Sequence, residues 1–211
     1  MSSVEEARMA IEYGASAIGL VSEMPSGPGV IPEERIAAIA ATIPPGVSSF
    51  LLTSKQDSAS IISQQRRCRT NTIQLVDSVP ARLYDELRQA MPGIALVQVI
   101  HVRDETSIDE AISVAMHVDA LLLDSGNPGL PIKELGGTGR THNWGVSRKI
   151  RESVNVPLFL AGGLHPGNAA QAIAEVQPFG LDLCSGVRTD GKLDRRKLAE
   201  FFNVVHAATS S

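Results

Sequence analysis

The stretch PLFLAGGLHPGNAAQAIAEV, residues 157–176, decides how this chain is read. An apolar run, PLFLAG, gives way to a glycine pair; Pro166 and Asn168 follow, and AAQAIAEV then places apolar residues at helical spacing. A buried strand, a tight turn and a helix folding back on the strand make one βα unit, and a buried parallel sheet is built by repeating it.

Outward from this unit the same alternation fills the chain. Strand-like runs are SAIGLV (16–21), SSFLLT (48–53), NTIQLV (71–76), IALVQVIHV (94–102), DALLLD (119–124), PLFLAG (157–162) and GLDLCSG (180–186). Amphipathic segments lie between and around them: SVEEARMAIEYG, PEERIAAIAAT, DSASIISQQRRC with Asp57 as its cap, PARLYDELRQAM, TSIDEAISVAMH with Thr106 or Ser107 as its cap, NWGVSRKIRES, PGNAAQAIAEV and LDRRKLAEFFNVV. Right-handed crossovers allow an open doubly wound sheet or a closed barrel, and the repeat count favours the (β/α)8 TIM barrel. The first helix, ending at Gly14, has no strand before it, so the expectation is such a barrel with its first β-strand missing from this chain. No linker or low-complexity tract divides residues 1–211, which read as a single domain.

A composition 43% hydrophobic and 20% charged, with net charge -4, is that of a globular domain. It offers no basic field for nucleic acid or an anionic membrane, so a phosphorylated small molecule is the expected partner. No apolar run reaches bilayer length and MSSVEEARMA lacks a signal-peptide core, from which a cytoplasmic location is expected. Cys68 and Cys184 have neither CxxC spacing nor clustered histidines, so neither a disulfide nor a metal site is expected.

In a barrel, ligands bind where strands end. Three ends stand out: the long loop SGNPGLPIKELGGTGRT after DALLLD, GLHPGN after PLFLAG, and SGVRTDG after GLDLC. Gly-rich turns entering helices expose backbone N–H groups, and two in succession, AGGL and SGV, suit a phosphate dianion. The GxGxxG and GxxxxGK[ST] patterns are absent, so no nucleotide cofactor is expected, nor any other cofactor. None of the five lysines lies in a strand-like run, which argues against a Schiff-base aldolase.

Asp124 ends an apolar strand, a costly place for a carboxylate without a task. Asp77 and His101 also close strand-like runs and are candidate substitutes for a proton-carrying group, with helix capping and core packing as their simpler readings. Arg140 and Arg188 flank glycine-rich loops and are candidates for an anion. His142 and Trp144 read as helix-start residues.

The segments GASAIGLV, TIQLV, DALLLDS, ELGGTGRTHNW, PLFLAGGLHPGN and GLDLCSGVRTDGKLD, in this order and spacing, resemble the phosphoribosylanthranilate isomerase family of tryptophan biosynthesis. The resemblance implies an Amadori-type aldose–ketose isomerisation with Asp124 as general acid. It implies phosphate contacts from Gly162, Gly163, Ser185 and Gly186, and a loop of Gly136, Gly137, Thr138 and Gly139 shaping the mouth.

Three family features do not match. The base is a cysteine at the end of the first strand, ahead of Met1; an arginine after the second strand, for the anthranilate carboxylate, finds only MPSGPGVI; and QLHG is replaced by QLVDS. An overlooked upstream start is one reading of the first departure, and a shorter chain with an open sheet edge, prone to dimerise, is the other. Little or no turnover is expected of the chain begun at Met1. Alternatives are an isomerase or lyase of another sugar phosphate, with Asp77 or His101 as base, and a non-catalytic phosphate-ligand binder.

Overall fold

The computed structural model describes residues 1–135, 139 and 141–209. Seven parallel strands form one sheet in strict sequence order: β1 (Ala17–Val21), β2 (Ser48–Thr53), β3 (Thr72–Leu75), β4 (Ala95–His101), β5 (Ala120–Asp124), β6 (Leu158–Leu160) and β7 (Gly180–Leu181). Eight helices accompany them: α1 (Val4–Glu12), α2 (Glu33–Ala40), α3 (Ser58–Cys68), α4 (Ala81–Ala90), α5 (Thr106–Ala115), α6 (Trp144–Ser153), α7 (Pro166–Val176) and α8 (Arg195–Thr209). A two-stranded ribbon, β8 (Arg188–Thr189) with β9 (Lys192–Leu193), precedes α8.

The expected alternation is therefore present, with two local corrections. The run 180–186 pairs only at Gly180 and Leu181, and Ser185–Val187 form a single 3-10 turn. The start of α5 is not capped by Thr106 or Ser107: the Asp104 carboxylate takes the Thr106 N–H at 2.8 Å, and the Ser107 hydroxyl accepts the Arg103 N–H instead. Asp57 does cap α3, accepting the Ser60 N–H at 2.8 Å.

Burial shows how the sheet curls. In β2, Ser49, Leu51 and Thr53 are buried under helices, whereas Phe50 and Leu52 are half-buried and face the concave side. In β1, Ile18 and Leu20 are fully buried against α1, α2 and α8, while Ala17, Gly19 and Val21 are not. On the concave side Val76, Val97, Val99, Ala120, Leu122 and Ala161 make an inner cluster with Phe50, Leu52 and Phe159.

Among the described residues no pairing joins β1 to β7. The helix ring nevertheless closes there, since α1 and α8 share a core through Ala7, Ala10, Leu198 and Phe201, and Phe202 lies against Gly14. Beneath the closed ring, a slot of about 410 Å³ separates Ala17, Gly19 and Val21 from Gly180, Leu181 and Leu183. The Met1 ammonium enters it and donates to the Gly19 carbonyl at 2.6 Å. Burial, and then the nearby Arg188 cation, make that amine less basic than an ordinary N-terminus.

Candidate functional site

The C-terminal ends of the strands gather the chemistry on one face of the sheet. Asp124 closes β5, paired in register with His101 at the end of β4, and is 8% exposed. Its Oδ1 accepts the Ser125 N–H at 2.7 Å. Burial raises its carboxyl above the usual range, against the Ser125 bond and the His101 field, which pull it down. Burial thus favours the protonated form of a carboxyl at the end of a strand, which is the form suited to donate a proton.

Asp182, which was not singled out from the sequence, follows β7 with its N–H on the Leu160 carbonyl at 2.8 Å, and it borders the slot. The protein packed around the carboxyl, which still meets solvent in the slot, and then the negative charge of Asp124 raise its pKa to about 6. Two carboxyls in such different surroundings, the first acting on the second through its charge, can divide into a proton donor and a proton acceptor. The signal was present in the sequence: an aspartate inside the apolar run GLDLC has the same cost as one closing LLLD.

This shift has a consequence for stability. Asp182 titrates near 6 in the folded chain and near 3.8 when unfolded, so between those values the folded state holds the extra proton, and stability falls as pH rises. The slot admits solvent, which screens the effect to about 1 kcal/mol. Asp182→Asn is expected to raise the melting temperature by about 2–4 °C at pH 7.5 and to leave it almost unchanged at pH 4. Melting curves across that range test this, and a gain independent of pH would refute it.

His101 donates Nε2–H to the Val76 carbonyl at 2.9 Å, leaving Nδ1 buried and without a partner. That nitrogen packs on Gly126, where a Cβ would overlap both the imidazole and the Glu134 carbonyl oxygen. His101 is thus a fixed wall of the site. Asp77, beyond β3, is 5% exposed; Oδ1 accepts the Ser78 N–H at 2.9 Å and Oδ2 the Lys133 ammonium, while Pro80 occupies the N-cap of α4.

The two glycine turns follow β6 and β7, beside β5 in the sheet order. Gly162 and Gly163 adopt φ of +85° and +62°, a region costly for any side chain. The next helix is closed by its own capping box: His165 Nδ1 takes the Gly167 N–H at 3.1 Å, and Asn168 Oδ1 takes the His165 N–H at 2.8 Å. Gly186 lies against this turn, and a Cβ there would collide with the Leu164 carbonyl oxygen. The turns after β6 and β7 are therefore interlocked, and they bring Gly162, Gly163, Ser185 and Gly186 together.

Arg188 does not join them: its guanidinium clasps Glu6 with two contacts of 2.8 Å, at 15% and 14% side-chain exposure. Burial alone would raise the Glu6 carboxyl, but Arg188, with the Ser2 and Leu193 N–H groups, lowers it to about 2. His142 bonds the Ser147 hydroxyl at 2.7 Å, and Trp144 packs on the core, as helix-start residues. Cys68 is buried and Cys184 exposed. Gly136, Gly137, Thr138 and Arg140 lie outside the described residues; Gly139 has φ +69°. Among the described residues no group of His, Cys, Asp and Glu could hold a metal ion, and no helix is long and apolar enough to cross a membrane.

Comparison with known proteins agrees with this arrangement. Residues 17–204 match the family model described as N-(5'-phosphoribosyl)anthranilate (PRA) isomerase. The N-(5'-phosphoribosyl)anthranilate isomerase of Methanocella arvoryzae is 34% identical over 95% of this chain and 92% of its own length. The crystal structure of the phosphoribosyl anthranilate isomerase of Thermotoga maritima superposes with a TM-score of 0.83 at 26% identity, covering 98% of this chain and 96% of that one. A phosphoribosyl anthranilate isomerase in complex with reduced 1-(o-carboxyphenylamino)-1-deoxyribulose 5-phosphate superposes at 0.81, with 24% identity over 98% and 95% of the two chains. With the model match spanning nearly every strand and helix, and a relative aligned along almost its whole length, the chain belongs to the N-(5'-phosphoribosyl)anthranilate isomerase family.

Proposed function

We propose that this chain isomerises N-(5'-phosphoribosyl)anthranilate from an aminoaldose to an aminoketose, a step of tryptophan biosynthesis. The observation that carries the reading is the buried Asp124 at the end of β5 and the more open Asp182 after β7, both held above the usual carboxylate range, with two interlocked glycine turns after β6 and β7.

In the proposed sequence the Asp124 carboxyl protonates the ring oxygen, and the bond from that oxygen to C1 breaks as the nitrogen lone pair forms a Schiff base. Asp182, largely ionised at neutral pH, removes the C2 proton, and the resulting enolamine becomes the ketone by tautomerisation. Atoms and electrons balance without a co-reactant. The N–H groups of Gly162, Gly163, Ser185 and Gly186 hold the phosphate, which positions C1 and C2 under the carboxyls. Asp182 thereby takes the role of base that the sequence left unassigned.

The same reading makes the fold a (β/α)8 barrel with one strand position open. Eight helices and seven strands in sequence order among the described residues, with a slot of about 410 Å³ lined by residues of both β1 and β7, support it.

Turnover is tested with purified chain and phosphoribosylanthranilate, followed by fluorescence. Consumption above the uncatalysed rate, inhibited competitively by inorganic phosphate, is the expected result. Absence of turnover, together with absence of phosphate-competed binding, would remove the proposal, and turnover of aldose phosphates lacking the aromatic acid would redirect it to another sugar phosphate.

A further inference from the structure

We infer that Lys133 is the specificity-determining cation of this site, receiving the aromatic carboxylate of the substrate while Asp77 holds its ammonium in place; the inference rests on the functional reading above. A phosphoribosylated aromatic acid is anionic at both ends. The glycine turns after β6 and β7 suit the phosphate, so the carboxylate falls across the mouth, towards β3, which lies four strand positions from β7 in the sheet order. The loop after β1, residues 22–31, contributes Glu23 and no cation to that side.

Lys133 fills the gap from a different segment, and its backbone is fixed at several points. The Glu134 N–H donates to the Asn127 carbonyl at 3.1 Å, folding the stretch after β5 back on itself. Ser26, from the cation-free loop, donates its hydroxyl to the Lys133 carbonyl at 2.5 Å. Gly126 lets the same stretch seat directly on His101, because any Cβ there would overlap the Glu134 carbonyl oxygen. The ammonium then reaches Asp77 at the end of β3. Three strand ends thus converge on one lysine.

Its chemistry suits the task. An ammonium has three donors and Asp77 takes one. The Asp77 side chain is 6% exposed and that of Lys133 39%, so the open side of the pair is the cationic one. Without Lys133 the buried Asp77 carboxylate would repel an anionic ligand, so the lysine both neutralises the wall and offers donors to the incoming carboxylate. A site built around a charged contact rejects an analogue that lacks its partner.

The test is a binding titration with two probes: reduced 1-(o-carboxyphenylamino)-1-deoxyribulose 5-phosphate, and the anilino compound identical except for the missing carboxylate. The unaltered chain is expected to prefer the carboxylated probe by about tenfold or more. Lys133→Met should remove that preference by weakening the carboxylated probe alone, and Lys133→Arg should restore part of it. Equal affinity of the unaltered chain for both probes, or an undiminished preference in Lys133→Met, overturns the assignment. Binding of neither probe by the unaltered chain overturns the functional reading itself, and this inference with it. Melting curves confirm that each variant is folded; a Lys133→Met chain that fails to fold is replaced by Lys133→Gln, which carries the same expectation.

Discussion

A short apolar segment fused ahead of Met1 is expected to raise the melting temperature of this protein by about 10 °C. The slot between β1 and β7 has a volume of about 410 Å³, and on one side it exposes the inward face of a five-residue strand. Five extended residues span about 16 Å, enough to run the length of β1. Their valine and isoleucine side chains, each worth roughly 1.5–3 kcal/mol when fully buried, would pack on Ala17, Gly19, Val21 and Leu181, and their backbone would pair with both open edges. Ordering the segment costs about 1–2 kcal/mol per residue, so the net gain is about 3 kcal/mol. For a domain of this length that corresponds to several degrees.

A second effect acts in the same direction. The Met1 ammonium is desolvated against Gly19, and fusion replaces this charge with a neutral amide able to make the same bond. The measurement is a set of melting curves for a Val/Ile-rich extension and for an equally long one of alternating Lys and Asp. A rise with the first and none with the second is expected; equal shifts, or none, would show that the slot does not accept a strand. Because β1 and β7 flank Asp182, the filled slot is also expected to increase isomerase turnover.

What could be read from the sequence follows from how locally each feature is determined. DALLLD was readable to within one residue because a strand buried on both faces is a continuous apolar run whose end is marked by the first polar group. The same rule found Asp124. It overextended GLDLCSG: a ladder needs partners, and with the position beside β7 open the chain leaves the sheet after Leu181, taking Asp182 out of the run in which it had been hidden.

Glycines were legible as turns, but only the fold shows that Gly186 is obligatory because of the Leu164 carbonyl, a contact between two separate βα units. Arg188 stands beside a glycine loop in sequence, yet its guanidinium is taken by Glu6, 182 residues away. Lys133 was the least legible, since its position depends on Asp77 and Ser26, 56 and 107 residues distant. Local pattern therefore located the strand-end carboxylate and the glycine turns, and long-range packing decided which cations are drawn into ion pairs elsewhere.

Asp124→Asn should lower kcat by about a hundredfold to ten-thousandfold, with KM changed far less, and should leave the protein more stable. Asparagine preserves the shape and can still accept the Ser125 N–H, so the backbone at the end of β5 has no reason to move. What it lacks is a transferable proton, and ring opening then proceeds without a general acid. In the proposed mode phosphate is held by the turns after β6 and β7, on other strands, so ground-state binding is expected to persist. The stability change has a definite sign. Burial raises the folded-state pKa of Asp124, so the folded protein is penalised at neutral pH for ionising it; the neutral amide escapes that penalty and removes a charge that opposes ionisation of Asp182. The Asp182 limb of the pH–rate profile, near pH 6, should accordingly move to lower pH in the residual activity of the variant. Loss of activity accompanied by a lower melting temperature would mean that Asp124 holds the loop in place. Loss of activity accompanied by a higher one would mean that the fold tolerates an unfavourable carboxyl because the reaction uses it.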